Sequence, residues 1–158
     1  MEFNDFNEIT CRRYQYAQGI DTKDFDLLRS VFTDQITMDF FDYNGLSSTI
    51  LKADDWVENV RDLMTGLDST QHVLTNPIVE VNGDDATCSM YMKAEHFLQN
   101  LQGSSNYTIG GYYVDKLVRL NGRWSIKTVT LKLFWQRGNR NIMQIARKKI
   151  SEGQLDYS

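Results

Sequence analysis

Between Thr70 and Trp135 the chain reads as a long succession of strands cut by turn signals, and no other stretch limits the fold as tightly. Asn82-Gly83-Asp84-Asp85 and Asn121-Gly122 are strong hairpin turns, because Asn and Gly accept the left-handed backbone that short β-turns require. After the first turn, Ala86, Cys88, Met90, Met92, Ala94 and His96 share one parity, while Thr87, Ser89, Tyr91, Lys93 and Glu95 share the other. That is the period of a strand with one buried face. Gln99 to Asn106 reads as a polar loop, and Tyr107 to Leu120 and Arg123 to Trp135 as two further long strands. Gly110-Gly111 predicts a bulge that curves the sheet. Pro77, the only proline, cannot donate to a ladder and predicts a bend or a sheet edge.

Ahead of this meander the period changes to that of helices. Asn4 or Asp5 can cap a first helix with Phe6, Ile9, Tyr16, Ala17 and Ile20 on one face. A second helix is expected from Asp24 to about Phe32, and a third opens at Ala53-Asp54-Asp55 and carries Trp56, Val57, Val60, Leu63, Met64 and Leu67. Between the last two, Ile36, Met38 and Phe40 alternate as a strand that Asn44-Gly45 ends. Residues 139–152 predict a short terminal helix, with Ile142, Ile145 and Ile150 packing inward or closing a cavity mouth. Helices segregated from a curved antiparallel sheet give an α+β cone with an apolar cavity between its layers.

The 158 residues, 41% of them hydrophobic, fit one domain spanning 1–158 with a substantial core. A net charge of −4 and a pI near 5.1 argue against nucleic acid as a partner, since a phosphate binder presents a concentrated basic face. The basic cluster Arg147-Lys148-Lys149 is short and terminal. No apolar run approaches the roughly 18 residues needed to span a bilayer, so no membrane is expected. Cys11 and Cys88 lack the spacing of a metal or redox pair, and a reduced, cytoplasmic setting is the expectation.

Two polar residues stand out against the apolar pattern. His72, one of only two histidines, sits at the entrance of a predicted strand, and Asp21 closes the apolar stripe of the first helix. An unpaired buried carboxylate costs several kcal/mol. Asp21 therefore either pairs with a partner inside the fold or, within Asp21-Thr22-Lys23-Asp24, serves as a turn and cap for the second helix. A buried imidazole held by a carboxylate is a natural general base. The histidines and scattered carboxylates form no recognisable metal set, so no metal is expected.

The pattern Arg13-Tyr14, Ala17, Asp21, Asp24-Phe25, Leu28, Phe32 resembles the first helical hairpin of the SnoaL-like branch of the nuclear transport factor 2-like superfamily. Thr70-Gln71-His72, Ala94-Glu95-His96 and Asn121-Gly122-Arg123-Trp124 resemble its sheet. The resemblance implies a cone-shaped barrel: three N-terminal helices on a curved, mixed but mainly antiparallel sheet enclosing an apolar cavity. Gly19-Ile20-Asp21 and His72 with Asn76 are similar to the dyad positions of hexachlorocyclohexane dehydrochlorinase, where an Asp-His pair abstracts a proton. Thr70-Gln71-His72, Asp21 to Asp26 and His96 are similar to scytalone dehydratase. Ile20 and Phe40 stand where that enzyme's water-binding tyrosines would be, with Asp39, Asp42 and Tyr43 as the nearest polar groups. Bile-acid 7α-dehydratases share the Asp, His and helical Tyr plan, which brings in Tyr14.

The resemblance thus implies a cofactor-independent lyase, eliminating water or halide, or an isomerase acting on a small hydrophobic cyclic substrate. His72, Asp21, His96 and Tyr14 are the catalytic candidates, with His96, Tyr14 or Tyr112 donating a hydrogen bond to a leaving group or carbonyl. Tyr16, Phe40, Met90, Met92, Tyr112, Leu131 and Trp135 are the expected substrate contacts. The alternatives are a non-catalytic ligand-binding or assembly module and a polyketide-type cyclase. Val129, Leu131, Leu133 and Trp135 at alternate positions predict an apolar outer sheet face and a homo-oligomer, a trimer rather than a dimer by the resemblance.

Overall fold

Both hairpins form where the turn residues place them. In the computed structural model, which describes residues 3–153, β3 (Ser69–Asn82), β4 (Asp85–Phe97), β5 (Asn106–Leu120) and β6 (Arg123–Gly138) run as consecutive antiparallel neighbours. Asn121 and Gly122 take φ values of 52° and 77°, the paired left-handed geometry of a tight hairpin turn. β1 (Phe32–Asp39) joins the far side of β6 in parallel, and β2 (Thr49–Lys52) adds an antiparallel edge, giving the order β2-β1-β6-β5-β4-β3. The mixed sheet is curved and open-edged. Pro77 lies on the edge strand β3, inside a register shift between Thr75 and Ile78 where Asn76 takes φ 57°.

The helices are α1 (Phe3–Asp21), α2 (Phe25–Ser30), the short α3 (Phe41–Asn44), α4 (Ala53–Gly66) and α5 (Ile142–Ser151). The second helix is shorter than its apolar pattern predicts, since Val31 caps it and Phe32 already opens β1. α3 and β2 are additions to the expected elements. Asp5 does not cap α1; it lies within the first turn, almost buried, and accepts hydrogen bonds from Arg119 Nη2 (2.8 Å) and Trp124 Nε1 (3.2 Å). The start of α1 is thereby tied to the β5–β6 hairpin. No helix among the described residues is long and apolar enough to cross a membrane.

The core lies between the inner sheet face and the helices, with Ile9, Leu28, Trp124, Ile126, Val129 and Ala146 fully shielded. β6 carries two bulges, between the pairs Lys116–Thr128 and Leu117–Ile126 and between Gly110–Trp135 and Gly111–Leu133. Each extra residue reverses the inward–outward alternation of the strand beyond it. Trp124 and Ile126 are buried at even positions, then Val129 and Leu131 at odd ones. Val129 and Leu131 therefore face the core, against the expectation that they lie on the outer face. After the second bulge Trp135 is exposed and lies over Gly110, where a Cβ would come within 2.4 Å of its ring. The outer aromatic cluster is instead Tyr91, Tyr112 and Phe134, with ring centroids 5.3 to 6.4 Å apart.

Candidate active site

Asp21 is the last residue of α1, and α1 packs along β3, where Thr70, His72 and Leu74 turn inward while Gln71, Val73 and Thr75 are exposed. The carboxylate of Asp21 meets this strand at three points. Oδ1 accepts from His72 Nδ1 at 2.7 Å and from the Thr70 hydroxyl at 2.8 Å, and Oδ2 accepts the His72 backbone N–H at 2.7 Å. The capping alternative belongs to Asp24, whose side chain accepts from the Leu27 backbone N–H at 2.9 Å. Burial alone would raise the Asp21 carboxyl, but hydrogen bonds and charge from His72, together with the Thr70 hydroxyl, outweigh it and hold the group below the usual carboxylate range.

These contacts fix the imidazole. Because a carboxylate only accepts, Nδ1 of His72 carries a proton, and whenever the ring is neutral the lone pair is on Nε2. The His72 side chain is only 5% exposed and lines a cavity of about 240 Å³. Ile20, Trp56, Val60, Met64, Ile109 and Leu131 supply much of its apolar wall. Such a wall excludes water and strengthens the electrostatics within it.

His96 reaches the same cavity from β4. Its cross-strand partner on β3 is Thr70, while Ala94 stands opposite His72, so the histidines are diagonal neighbours with ring centroids 6.1 Å apart. Nδ1 of His96 donates to the Tyr107 carbonyl at 3.1 Å. Burial, then the proximity of His72, pushes its pKa down to about 4. The ring is neutral at physiological pH and its Nε2 is an acceptor, so His96 cannot make the donation to a leaving group expected from the sequence.

Tyr16 on α1 and Tyr113 on β5 also line the cavity. Burial raises both phenols, which stay protonated. Behind them lies Arg13, 1% exposed, with its guanidinium carbon 3.4 Å from the Tyr113 ring centroid and 4.0 Å from that of Tyr16. Arg13 Nε lies 3.2 Å from Asp115 Oδ2. Burial lifts the Asp115 carboxyl to about 6 against the pull of Arg13.

Of the expected contacts, Tyr16, Phe40 and Leu131 line the cavity beside His72 and His96. Met90 and Met92 face the same side of the sheet but are buried in the core rather than in the lining. Their cross-strand partners are Tyr113, beneath Arg13 of α1, and Gly111. Tyr112 and Trp135 belong to the outer face, on the parity opposite to Ile109 and Tyr113. Tyr14 is 43% exposed in an external groove between α1 and β3, on the far side of the dyad. Tyr113 is the main cavity-lining residue that the sequence did not single out as a ligand contact. The alternation of Ile109, Tyr113 and Leu117 marks it, but Asp115 on the same face obscures that signal. Among the described residues, no three His, Cys, Asp or Glu side chains gather into a metal-binding group.

The same architecture occurs in solved structures. A protein of Kribbella flavida superimposes with a TM-score of 0.83 at 29% identity, covering 91% of this chain and 97% of that one. A candidate scytalone dehydratase of Novosphingobium aromaticivorans gives 0.73 at 18%, covering 86% and 88%. The type 3 hexachlorocyclohexane dehydrochlorinase of Novosphingobium barchaimii gives 0.69 at 18%, covering 85% and 89%. Among curated proteins none matches the chain. The SnoaL-like domain matches residues 1–130, which takes in both residues of the dyad, His96, Tyr16 and Tyr113, and the chain belongs to that family.

Proposed function

We propose that the protein is a cofactor-independent lyase or isomerase for a small hydrophobic cyclic substrate, with His72 as the general base and Asp21 as the residue that orients it. The observation that carries this reading is the 2.7 Å contact from His72 Nδ1 to Asp21, which commits that nitrogen to the carboxylate and leaves Nε2 as the ring nitrogen available to a ligand in the apolar cavity that His72 lines. His72 removes a proton from carbon through Nε2, and Asp21, held ionised, stabilises the imidazolium. The departing oxygen or halide, or the oxygen of an enolised carbonyl, receives hydrogen bonds from Tyr16 and Tyr113. His96 accepts a hydrogen bond from a hydroxyl or N–H of the substrate. A volume of about 240 Å³ suits one or two rings.

Turnover of a panel of cyclic halides, hydroxyketones and steroid-like ketones tests the assignment. Asp21→Asn presents an amide N–H to Nδ1 and inverts the tautomer, so kcat should fall about 10²- to 10⁴-fold, and His72→Ala should fall at least as far. Turnover that survives both substitutions would remove the dyad from the mechanism.

A further inference from the structure

The cavity mouth carries a charge that the apolar interior does not explain. Arg147 lines the cavity alongside Tyr43 and Met143, and the same three residues line an outer vestibule with Arg140. Arg140 is held by donation from Nη2 to the Tyr43 carbonyl at 2.7 Å, with its guanidinium 4.5 Å from the Tyr43 ring centroid. Among the described residues neither arginine pairs with a carboxylate, whereas Arg12, Arg13, Arg29, Arg61 and Arg119 each do, and Arg123 and Arg137, which also lack such a pair, line neither the cavity nor the vestibule. In a chain of net charge −4, two uncompensated guanidiniums at one opening form a local cationic site.

The position of Arg147 is set by its neighbour in sequence. Ala146 is fully buried against Gly66 of α4, so close that a Cβ on Gly66 would lie 2.1 Å from the Ala146 carbonyl oxygen. This contact seats α5 on α4 and holds the following residue at the opening.

We infer that Arg147, with Arg140 beside it, recognises an anionic group on the substrate, so that the ligand has an apolar ring body and a carboxylate-like substituent left at the mouth. A guanidinium meets a planar carboxylate through parallel N–H donors. At the rim both charges keep part of their hydration, which avoids the penalty of burying an ion pair. The body then lies inward, toward Nε2 of His72. The inference rests on the cavity being the substrate site, and it is tested by binding rather than turnover.

Calorimetric titration with 2-naphthoate and 2-naphthamide compares the same body with and without charge. The wild type should bind the carboxylate about tenfold more tightly at low ionic strength, with the gap narrowing as salt is added. Arg147→Gln should abolish the preference and Arg140→Gln should reduce it. Val60→Trp, which fills the cavity from α4, should weaken both probes together. Asp21→Asn should lose turnover and retain the preference, so a wrong reaction assignment and a wrong anion subsite give different results. Equal affinity for the two probes in the wild type, a preference unchanged in Arg147→Gln, undiminished binding in Val60→Trp, or no binding of either probe at millimolar concentration would each overturn the inference.

Discussion

Arg13 and Asp115 show how much the chain commits to the wall behind its cavity. Both are almost wholly buried, and the guanidinium is sandwiched against the two tyrosine rings that face the ligand space. Removing one member of such a pair leaves an uncompensated charge in the interior, whereas removing both can cost little. Arg13→Met should therefore destabilise the fold by about 3–5 kcal/mol, and Arg13→Met combined with Asp115→Leu should recover most of that loss, as measured by urea unfolding. A double variant as unstable as the single would mean that lost packing on Tyr16 and Tyr113, rather than a stranded charge, dominates the site. Asp21 differs because its stabilising contacts point to one strand and one ring. Its placement at the end of an apolar helix stripe was legible in the sequence, and the resemblance pointed to His72 as its partner, but the residues alone left a cap for the second helix as the alternative. Two aspartates three residues apart compete for one cap, and only the packing of α1 along β3 assigns Asp24 to the cap and Asp21 to His72.

At the scale of elements, the contact between α4 and α5 should be the most sensitive to a single methyl group. Gly66→Ala would place its Cβ within 2.1 to 2.9 Å of the Ala146 backbone, and backbone cannot rotate aside as a side chain can. α5 should lift from α4, at a cost of roughly 1–3 kcal/mol. Amide exchange across Ile142–Ser151 should accelerate while β4 and β5 stay protected; unchanged protection of α5 would show that the helix is held elsewhere. Nothing in the sequence marks Gly66 as a crossing point, because its constraint comes from a residue 80 positions away. The meander was legible because turn chemistry is local: Asn121-Gly122 dictates its own backbone. Which face each strand buries was legible only up to the first bulge. The two extra residues in β6 send Leu131 inward and Trp135 outward although both are odd-numbered apolar positions, and bulge placement answers to sheet curvature rather than to the bulged residues themselves. Met90 and Met92 were legible as inward-facing, but they are packed within the core and stand outside the lining.

For the whole molecule, the buried titratable groups set opposing pH dependences. His96 is displaced from 6.5 to about 4 by burial and by His72, so between those values the unfolded chain holds more protons and stability rises with pH. Asp115 is displaced upward from 3.8 to about 6 by burial, so across that range the folded chain holds more protons and stability falls with rising pH. Asp21, held below 3.8, contributes stability that is fully present above that value and lost only in stronger acid, as pH falls through its folded pKa. Each of the first two displacements corresponds to about 3 kcal/mol over its window. Between pH 4 and 6 they oppose one another, and their combined contribution to unfolding free energy is nearly flat. His96→Gln removes one side of this balance: relative to wild type, the variant should gain about 3 kcal/mol as the pH is lowered from 6 to 4. Asp115→Asn should lose a similar amount over the same range. Asp115→Asn also strands Arg13 and lowers stability at every pH, so the slope is the informative quantity and the level is not. Urea unfolding at half-unit pH steps separates the two. Parallel profiles for wild type and both variants would mean that neither group titrates differently in the folded chain, and the neutral, acceptor form assigned to His96 in the cavity would then lose its electrostatic basis.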